Sequence, residues 1–187
     1  MNAFLPLSLN AIIEDCGLQV QRFEQIHGGD INNAFCLHTS NGNFFLKVNQ
    51  AGLYPDMFLK EAAGLSEIKK TRTVSTPAVI KTGIAGEQQY LLLEWIGKGQ
   101  PDEQFWENFG HELALLHHQP QEYYGWHTDN YIGRLKQSNK RHGTWDEFYT
   151  ECRIMPLVEI LFNKQLFNRA DIKAAGHFCN QLDTLFP

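Results

Sequence analysis

The sequence predicts an α+β fold: an antiparallel sheet carrying one key helix comes first, and a mostly helical half follows. Three observations predict it. Between Leu18 and Ile96 the apolar residues fall mainly in short extended runs, interrupted once by a helical stripe. The pair Asn41-Gly42, set between two such runs, is the strongest short-range signal of a β-hairpin. After the break Gly97-Lys98-Gly99-Gln100-Pro101, apolar residues recur at helical spacing. The expected division is therefore 1–96 for the sheet lobe and 97–187 for a linker and helices.

In chain order, Leu9, Ile12 and Ile13 sit at helical spacing in a short opening helix that Gly17 terminates. Leu18 to Ile26 reads as extended. Ile31, Phe35 and Leu37 share one face of the next strand, and the turn at Ser40-Asn41-Gly42-Asn43 returns the chain, because Asn and Gly both tolerate positive φ. In the return strand Phe44, Leu46 and Val48 point one way and Phe45, Lys47 and Asn49 the other. Asp56 to Lys70 is predicted helical, with Phe58, Ala62, Leu65 and Ile68 as its stripe and Glu61 beside it. An extended segment opens at Thr76-Pro77, a turn is expected over Gly83 to Gly86, and a strand runs from Gln88 to Ile96. Asp102 can cap a helix whose apolar positions are Phe105, Phe109, Leu113 and Leu116. Tyr123 to Lys140 is polar and irregular. Trp145–Cys152, Leu157–Phe167 and roughly Ala170–Leu185 are the remaining predicted helices.

Composition limits the classes of function. The 187 residues are 43% hydrophobic and 20% charged, enough to bury a core without metal or disulfides. The net charge of −5 argues against nucleic acid as a partner. No apolar run approaches a membrane span, so no membrane partner is expected. The opening residues lack the positive segment of a secretion signal, and Cys16, Cys36, Cys152 and Cys179 form no C-x-x-C pair. The expected compartment is the reducing cytoplasm, with free thiols. Composition leaves the oligomeric state open.

The chemistry concentrates in the sheet half. Gly28-Gly29-Asp30-Ile31-Asn32-Asn33 lies between two predicted strands, where paired glycines let backbone N–H groups approach a phosphate. Alone, such a pair is most often a turn, and it fits neither the G-x-x-x-x-G-K-[ST] nor the dinucleotide pattern. The order of parts says more. A glycine-rich turn, a mid-strand Lys47, a helix with Glu61 and a strand ending in a short linker follow one another as in a protein-kinase-like N-lobe. There the lysine binds the α- and β-phosphates, the glutamate holds the ammonium, and linker backbone bonds an adenine. The plain alternative is a surface ion pair worth ~0–1 kcal/mol.

Several blocks carry a more specific resemblance: Gly28-Gly29-Asp30-Ile31-Asn32, Phe45-Leu46-Lys47-Val48-Asn49, Phe58-x-x-Glu61-Ala62-x-Gly64-Leu65 and Leu93-Glu94-Trp95-Ile96. Beyond the linker come Leu113-Ala114-x-Leu116-His117, Tyr124-Gly125-Trp126-x-x-Asp129-Asn130-x-Ile132-Gly133 and Trp145-x-x-Phe148-Tyr149-x-x-x-Arg153. In this order they resemble the fructosamine kinase (ketosamine-3-kinase) family, relatives of the aminoglycoside phosphotransferases. The resemblance implies a kinase, a transferase that uses ATP and Mg2+ to phosphorylate the sugar 3-hydroxyl of ketosamines. The product breaks down and frees the amine, so the activity is deglycating. It also implies nucleotide-binding roles for Gly28 and Gly29 over the phosphates, Lys47 and Glu61 as the phosphate-binding pair, and Glu94, Trp95 and Ile96 as the adenine-binding hinge. Some members carry a redox-sensitive cysteine in the glycine-rich loop; Asp30 stands at that place here, and Cys36 lies on the following strand.

The family's catalytic segment resembles H-G-D-L-W-x-G-N, and a later aspartate completes the metal site. Neither occurs before Pro187, so the catalytic and metal-binding residues are expected beyond it, and the 187 residues alone are expected not to turn over. His127-Thr128-Asp129 contains H-x-D, but Arg134 stands where the asparagine should be. A loop-stabilising Asp–Asn turn fits it better. His111, His117 and His118 have offsets of six and seven, which do not suit a metal pair on one helix. Two other readings stay open at this point: an inert kinase-like nucleotide-binding or interaction module, and a kinase for another small hydroxylated substrate such as an aminoglycoside or choline.

Overall fold

The computed structural model describes residues 7–29 and 31–185, with side chains from Leu9 onward. The resemblance placed at Asp30, and the last two residues, lie outside the described residues. The elements of the first half are α1 (Leu7–Cys16), β1 (Val20–Ile26), β2 (Asn33–Thr39), β3 (Gly42–Gln50), α2 (Met57–Thr71), β4 (Val79–Ala85), β5 (Gln88–Glu94) and α3 (Phe105–His117). The five strands form one antiparallel sheet in the order β1-β2-β3-β5-β4. The chain divides into two compact units, one through Gln119, which includes α3, and one from Pro120.

Alternation along the strands builds two cores, one on each face. On one face Phe35, Leu37, Leu46, Val48, Tyr90 and Leu92 pack under Leu9, Ile12 and Ile13 of α1. On the other, Phe58, Ala62 and Leu65 of α2 pack on Leu91 and Leu93, with Phe45 and Val79 alongside. Leu46 and Leu91 are 0% exposed, and each fully buried side chain of this size contributes about 1.5–3 kcal/mol. The cluster of Asp15, Tyr90 and Lys81 then fastens α1 to β4 and β5. The Tyr90 hydroxyl donates to Asp15 Oδ2, and Lys81 Nζ stands 3.1 Å from Asp15 Oδ1.

Four local expectations need correction. The hairpin turn sits one residue early, on Ser40 and Asn41, because Thr39 Oγ1 accepts from the Asn41 N–H and donates to the Gly42 carbonyl. Gly83 lies inside β4 rather than in a turn. It pairs with Tyr90, and a Cβ there would lie 2.6 Å from the Tyr90 hydroxyl, so glycine makes room for the ring. The last strand ends at Glu94, two residues before Ile96. Asp102 does not cap α3: the N-cap is Gln104, and Asp102 Oδ1 accepts from the Gln104 N–H.

The second unit contains a hairpin that the irregular composition conceals, β6 (Asn130–Ile132) and β7 (Leu135–Gln137), turning at Gly133. Helical chain then runs on through α4 (Trp145–Tyr149), a π-helical turn (Thr150–Ile154) and α5 (Met155–Asn163), followed by α6 (Arg169–Cys179) and α7 (Leu182–Leu185). Thr144 caps α4, and Asn168 with Asp171 forms a capping box on α6. Arg153, in the π-helical turn, donates to the Ser138 carbonyl and to Asn139 Oδ1, each at 2.6 Å. Asn139 in turn donates its side-chain amide to the Thr128 carbonyl and its backbone N–H to Asp129 Oδ1. The two sequence blocks around Asp129 and Arg153 are thus bonded into one scaffold.

Candidate functional site

Lys47 and Glu61 are the centre of the site. Lys47 stands in β3 between Ala34 of β2 and Leu91 of β5, on the face that α2 covers. Phe58, Ala62 and Leu65 anchor α2 to that face, and the same helix presents Glu61 beside them. Lys47 Nζ lies 2.6 Å from Glu61 Oε1, with the two side chains 26% and 30% exposed. The ammonium spends one N–H on this bond and keeps two for a further anion. The strand alternation that puts Lys47 on the α2 side therefore makes it a held cation rather than a free surface lysine.

The other expected residues lie along the same sheet. Gly28 and Gly29 occupy the connection from β1 to β2, which leaves the sheet at the end where β3 carries Lys47 and Asn49. Gly28 has φ +133°, a conformation that favours glycine, and nothing stands within 4 Å of where its Cβ would be. Glu94 lies at the opposite end of the row, paired with Phe44. Its backbone N–H donates to the Ala78 carbonyl and its Oε2 accepts from the Ala78 N–H at 3.0 Å, so the carboxylate fixes the start of β4. The Trp95 ring packs 6.2 Å from Phe45, on the Lys47 face, and Ile96 is exposed. The structure brings Lys47 and Glu61 into contact, and it sets Gly28-Gly29 and Glu94-Trp95-Ile96 at opposite ends of the sheet with that pair between them.

Three amides add to this face, and sequence reasoning assigns them no role. Asn49 and Gln89 are cross-strand partners, 6% and 4% exposed, and Asn49 Nδ2 donates to Asn32 Oδ1 at 2.7 Å. For Asn49 and Gln89 the signal in the sequence is a polar amide within an otherwise apolar strand; Asn32 lies just before β2. Cys36 is also on this face, opposite Phe45, and burial pushes its thiol pKa up, which disfavours the reactive thiolate.

The H-x-D aspartate is engaged elsewhere: Asp129 Oδ1 receives the Asn139 N–H at 2.9 Å, as a loop-fixing carboxylate does. Among the described residues no three His, Cys, Asp or Glu side chains gather as a metal site, and no helix is long and apolar enough to cross a membrane.

Comparison with known proteins gives the site a context. The family model described as fructosamine kinase matches residues 9–185. A protein of Synechocystis sp. named as a ketoamine kinase is 35% identical over 137 residues, covering 73% of this chain and 46% of its own length. The chain spans about half the length of the curated relatives it matches. A crystal structure of a fructosamine-3-kinase from Haemophilus somnus superposes with TM-score 0.82 at 25% identity, over 95% of this chain and 61% of that one. An aminoglycoside phosphotransferase, APH(4)-Ia, solved with AMP-PNP and hygromycin B, superposes with TM-score 0.58 at 12% identity over 96% of this chain and 59% of its own, a likeness of fold.

Proposed function

Because the chain belongs to the fructosamine kinase family, we propose that it is the nucleotide-binding part of an ATP-dependent kinase acting on the sugar 3-hydroxyl of ketosamines. The observation that carries this reading is the Lys47–Glu61 contact on the α2 face of the sheet. Phosphoryl transfer asks a protein mainly for positioning and charge stabilisation. An ammonium held at a fixed place by a glutamate meets the first need for the α- and β-phosphates. The open backbone at Gly28 and Gly29 suits the phosphates from above, and the chain at Glu94-Trp95-Ile96 suits the adenine, about 10 Å along the sheet from Lys47 at the usual strand rise. ATP bound here would supply the transferred phosphoryl group.

By the family's pattern, Mg2+ would be held by the asparagine of the H-G-D-L-W-x-G-N segment and the later aspartate, and the aspartate of that segment would accept the hydroxyl proton; Asp129 is spent on its loop. Ketosamines, small or protein-bound, are the acceptors that follow from the family.

The test uses the protein expressed from its whole reading frame. Lys47→Met is expected to keep the fold and lower affinity for Mg·AMP-PNP by more than about tenfold, with ketosamine turnover lost in proportion. Unchanged affinity would make Lys47–Glu61 an ordinary ion pair. Rates on a ketosamine, an aminoglycoside and choline decide the acceptor, with the ketosamine expected to be fastest.

A further inference from the structure

We propose that Asn49 is a positioning residue: its buried amide ties the glycine-rich connection, through Asn32, to the helix that carries Glu61, so one joint sets both. The inference rests on reading the Lys47–Glu61 face as the nucleotide site.

The geometry is that of two parallel rungs between β3 and α2. Lys47 reaches Glu61, and two residues further along the strand Asn49 Nδ2 meets Met57 Sδ at 3.3 Å. Met57 lies one turn before Glu61 on the same helix face. Two residues of strand rise about 6.7 Å and four residues of helix about 6 Å, so the spacings match and the second rung fixes the height of the first. The same Asn49 amide donates to Asn32 Oδ1 at 2.7 Å. Asn32 and Asn49 face each other one step beyond the last ladder pair, Asn33 with Val48, where the chain leaves the sheet for Gly28 and Gly29.

Gln89 braces the same helix from the next strand. Its Oε1 accepts from the Phe58 N–H at 3.5 Å and its Nε2 donates to the Tyr54 carbonyl. Asp56, the N-cap residue, makes no side-chain capping bond, so sheet amides hold the first turn of α2 instead. For stability alone an apolar pair would serve better. Asn49 is 6% exposed, and its Oδ1 has no partner among the described residues, which is costly for a buried acceptor. The amide is explained by what it connects.

The experiment measures Mg·AMP-PNP affinity by calorimetry, and stability by denaturant, for Asn32→Ala, Asn49→Ala and the double variant in the protein expressed from its whole reading frame. Each single change is expected to raise Kd about five- to tenfold, and the double no further than Asn49→Ala alone, because both act through one joint. Asn32 is only half-buried and Asn49 Nδ2 keeps its Met57 Sδ contact, so Asn32→Ala is expected to stay folded with a modest loss of stability that the denaturant curve reads separately; should Asn49→Ala fail to fold, Asn32→Ala decides alone. In turnover the effect is expected in KM for ATP and not in KM for the acceptor. Unchanged affinities, or single effects that multiply in the double variant, overturn the proposal. Lys47→Met separates the two readings. If it too leaves Kd unchanged, or the wild type binds no AMP-PNP, the nucleotide site itself falls and this inference with it. If only Lys47→Met weakens binding, the joint alone is refuted.

Discussion

The two faces of the five-stranded sheet are built from alternate residues of the same strands, yet they are put to different uses. Under α1 the contributions of β3 and β5 are Phe44, Leu46, Val48, Tyr90 and Leu92, a continuous apolar layer. Under α2 the same strands present Phe45, Lys47, Asn49, Gln89, Leu91 and Leu93, so the apolar layer stops halfway and a row of polar groups continues it. A strand with period two can serve a core and a site at once, because a neighbour of a catalytic or binding residue never points into the same space. The α1 face carries the stability; the α2 face gives some of it up to hold a cation and two amides.

Adjacent residues of one strand should separate the two faces most clearly. Leu46→Ala is expected to cost about 2–5 kcal/mol of unfolding free energy while leaving Mg·AMP-PNP affinity per folded molecule unchanged. Lys47→Met is expected to do the reverse, with a stability change within about 1 kcal/mol. Denaturant unfolding and calorimetry on both variants check it; a Leu46→Ala protein of normal stability and poor affinity would mean the faces are not separate. Next in size is Gly83→Ala, again on the α1 side. Its Cβ would press on the Tyr90 ring, which is 0% exposed and bonded to Asp15, so overpacking should cost about 1–3 kcal/mol by the same unfolding measurement.

The smallest effect sharpens the account of how α1 is held. The Tyr90 hydroxyl, and then the Lys81 ammonium, hold the Asp15 carboxyl below the ordinary carboxylate value. A carboxyl with a depressed folded pKa stabilises the fold above its unfolded pKa and loses that contribution as the pH falls through the folded value. Asp15→Asn should therefore lower the melting temperature slightly at pH 7, and the gap to wild type should close below about pH 4. A gap that persists at pH 2 would assign the loss to packing. On the alkaline side, burial, with the Asp15 bond second, pushes the Tyr90 hydroxyl pKa up. Stability is then expected to fall as the pH rises past the ordinary tyrosine value of about 10.

Legibility followed the range of the interaction. Period two in Phe44–Asn49 was enough to put Lys47 opposite the apolar layer, and the stripe Phe58, Ala62, Leu65 was enough to put Glu61 beside it; both are local patterns. The meeting of the two is not local, and it was reached through the order of parts rather than through spacing. Asn49 with Met57 escaped altogether, because it depends on the height of α2 over β3. Gly83 read as a turn since glycine most often marks one; only the cross-strand Tyr90 reveals it as room for a ring. The strands Asn130–Ile132 and Leu135–Gln137 are three residues each, too short for any period to show.

The π-helical turn at Thr150–Ile154 has a consequence of its own. A wide turn holds one residue more than an α-helical one, so all that follows is advanced about the axis by one step, about 100°. That phase places α5 against α6 while Arg153 reaches back to Ser138 and Asn139. In this stretch residue count matters independently of residue kind. Deleting one position would restore regular helical bonding and improve the local backbone, yet it would swing Met155–Asn163 off its neighbour. A substitution at the exposed Glu151 leaves this phase in place, whereas a single-codon deletion is a change of gear for the whole second unit.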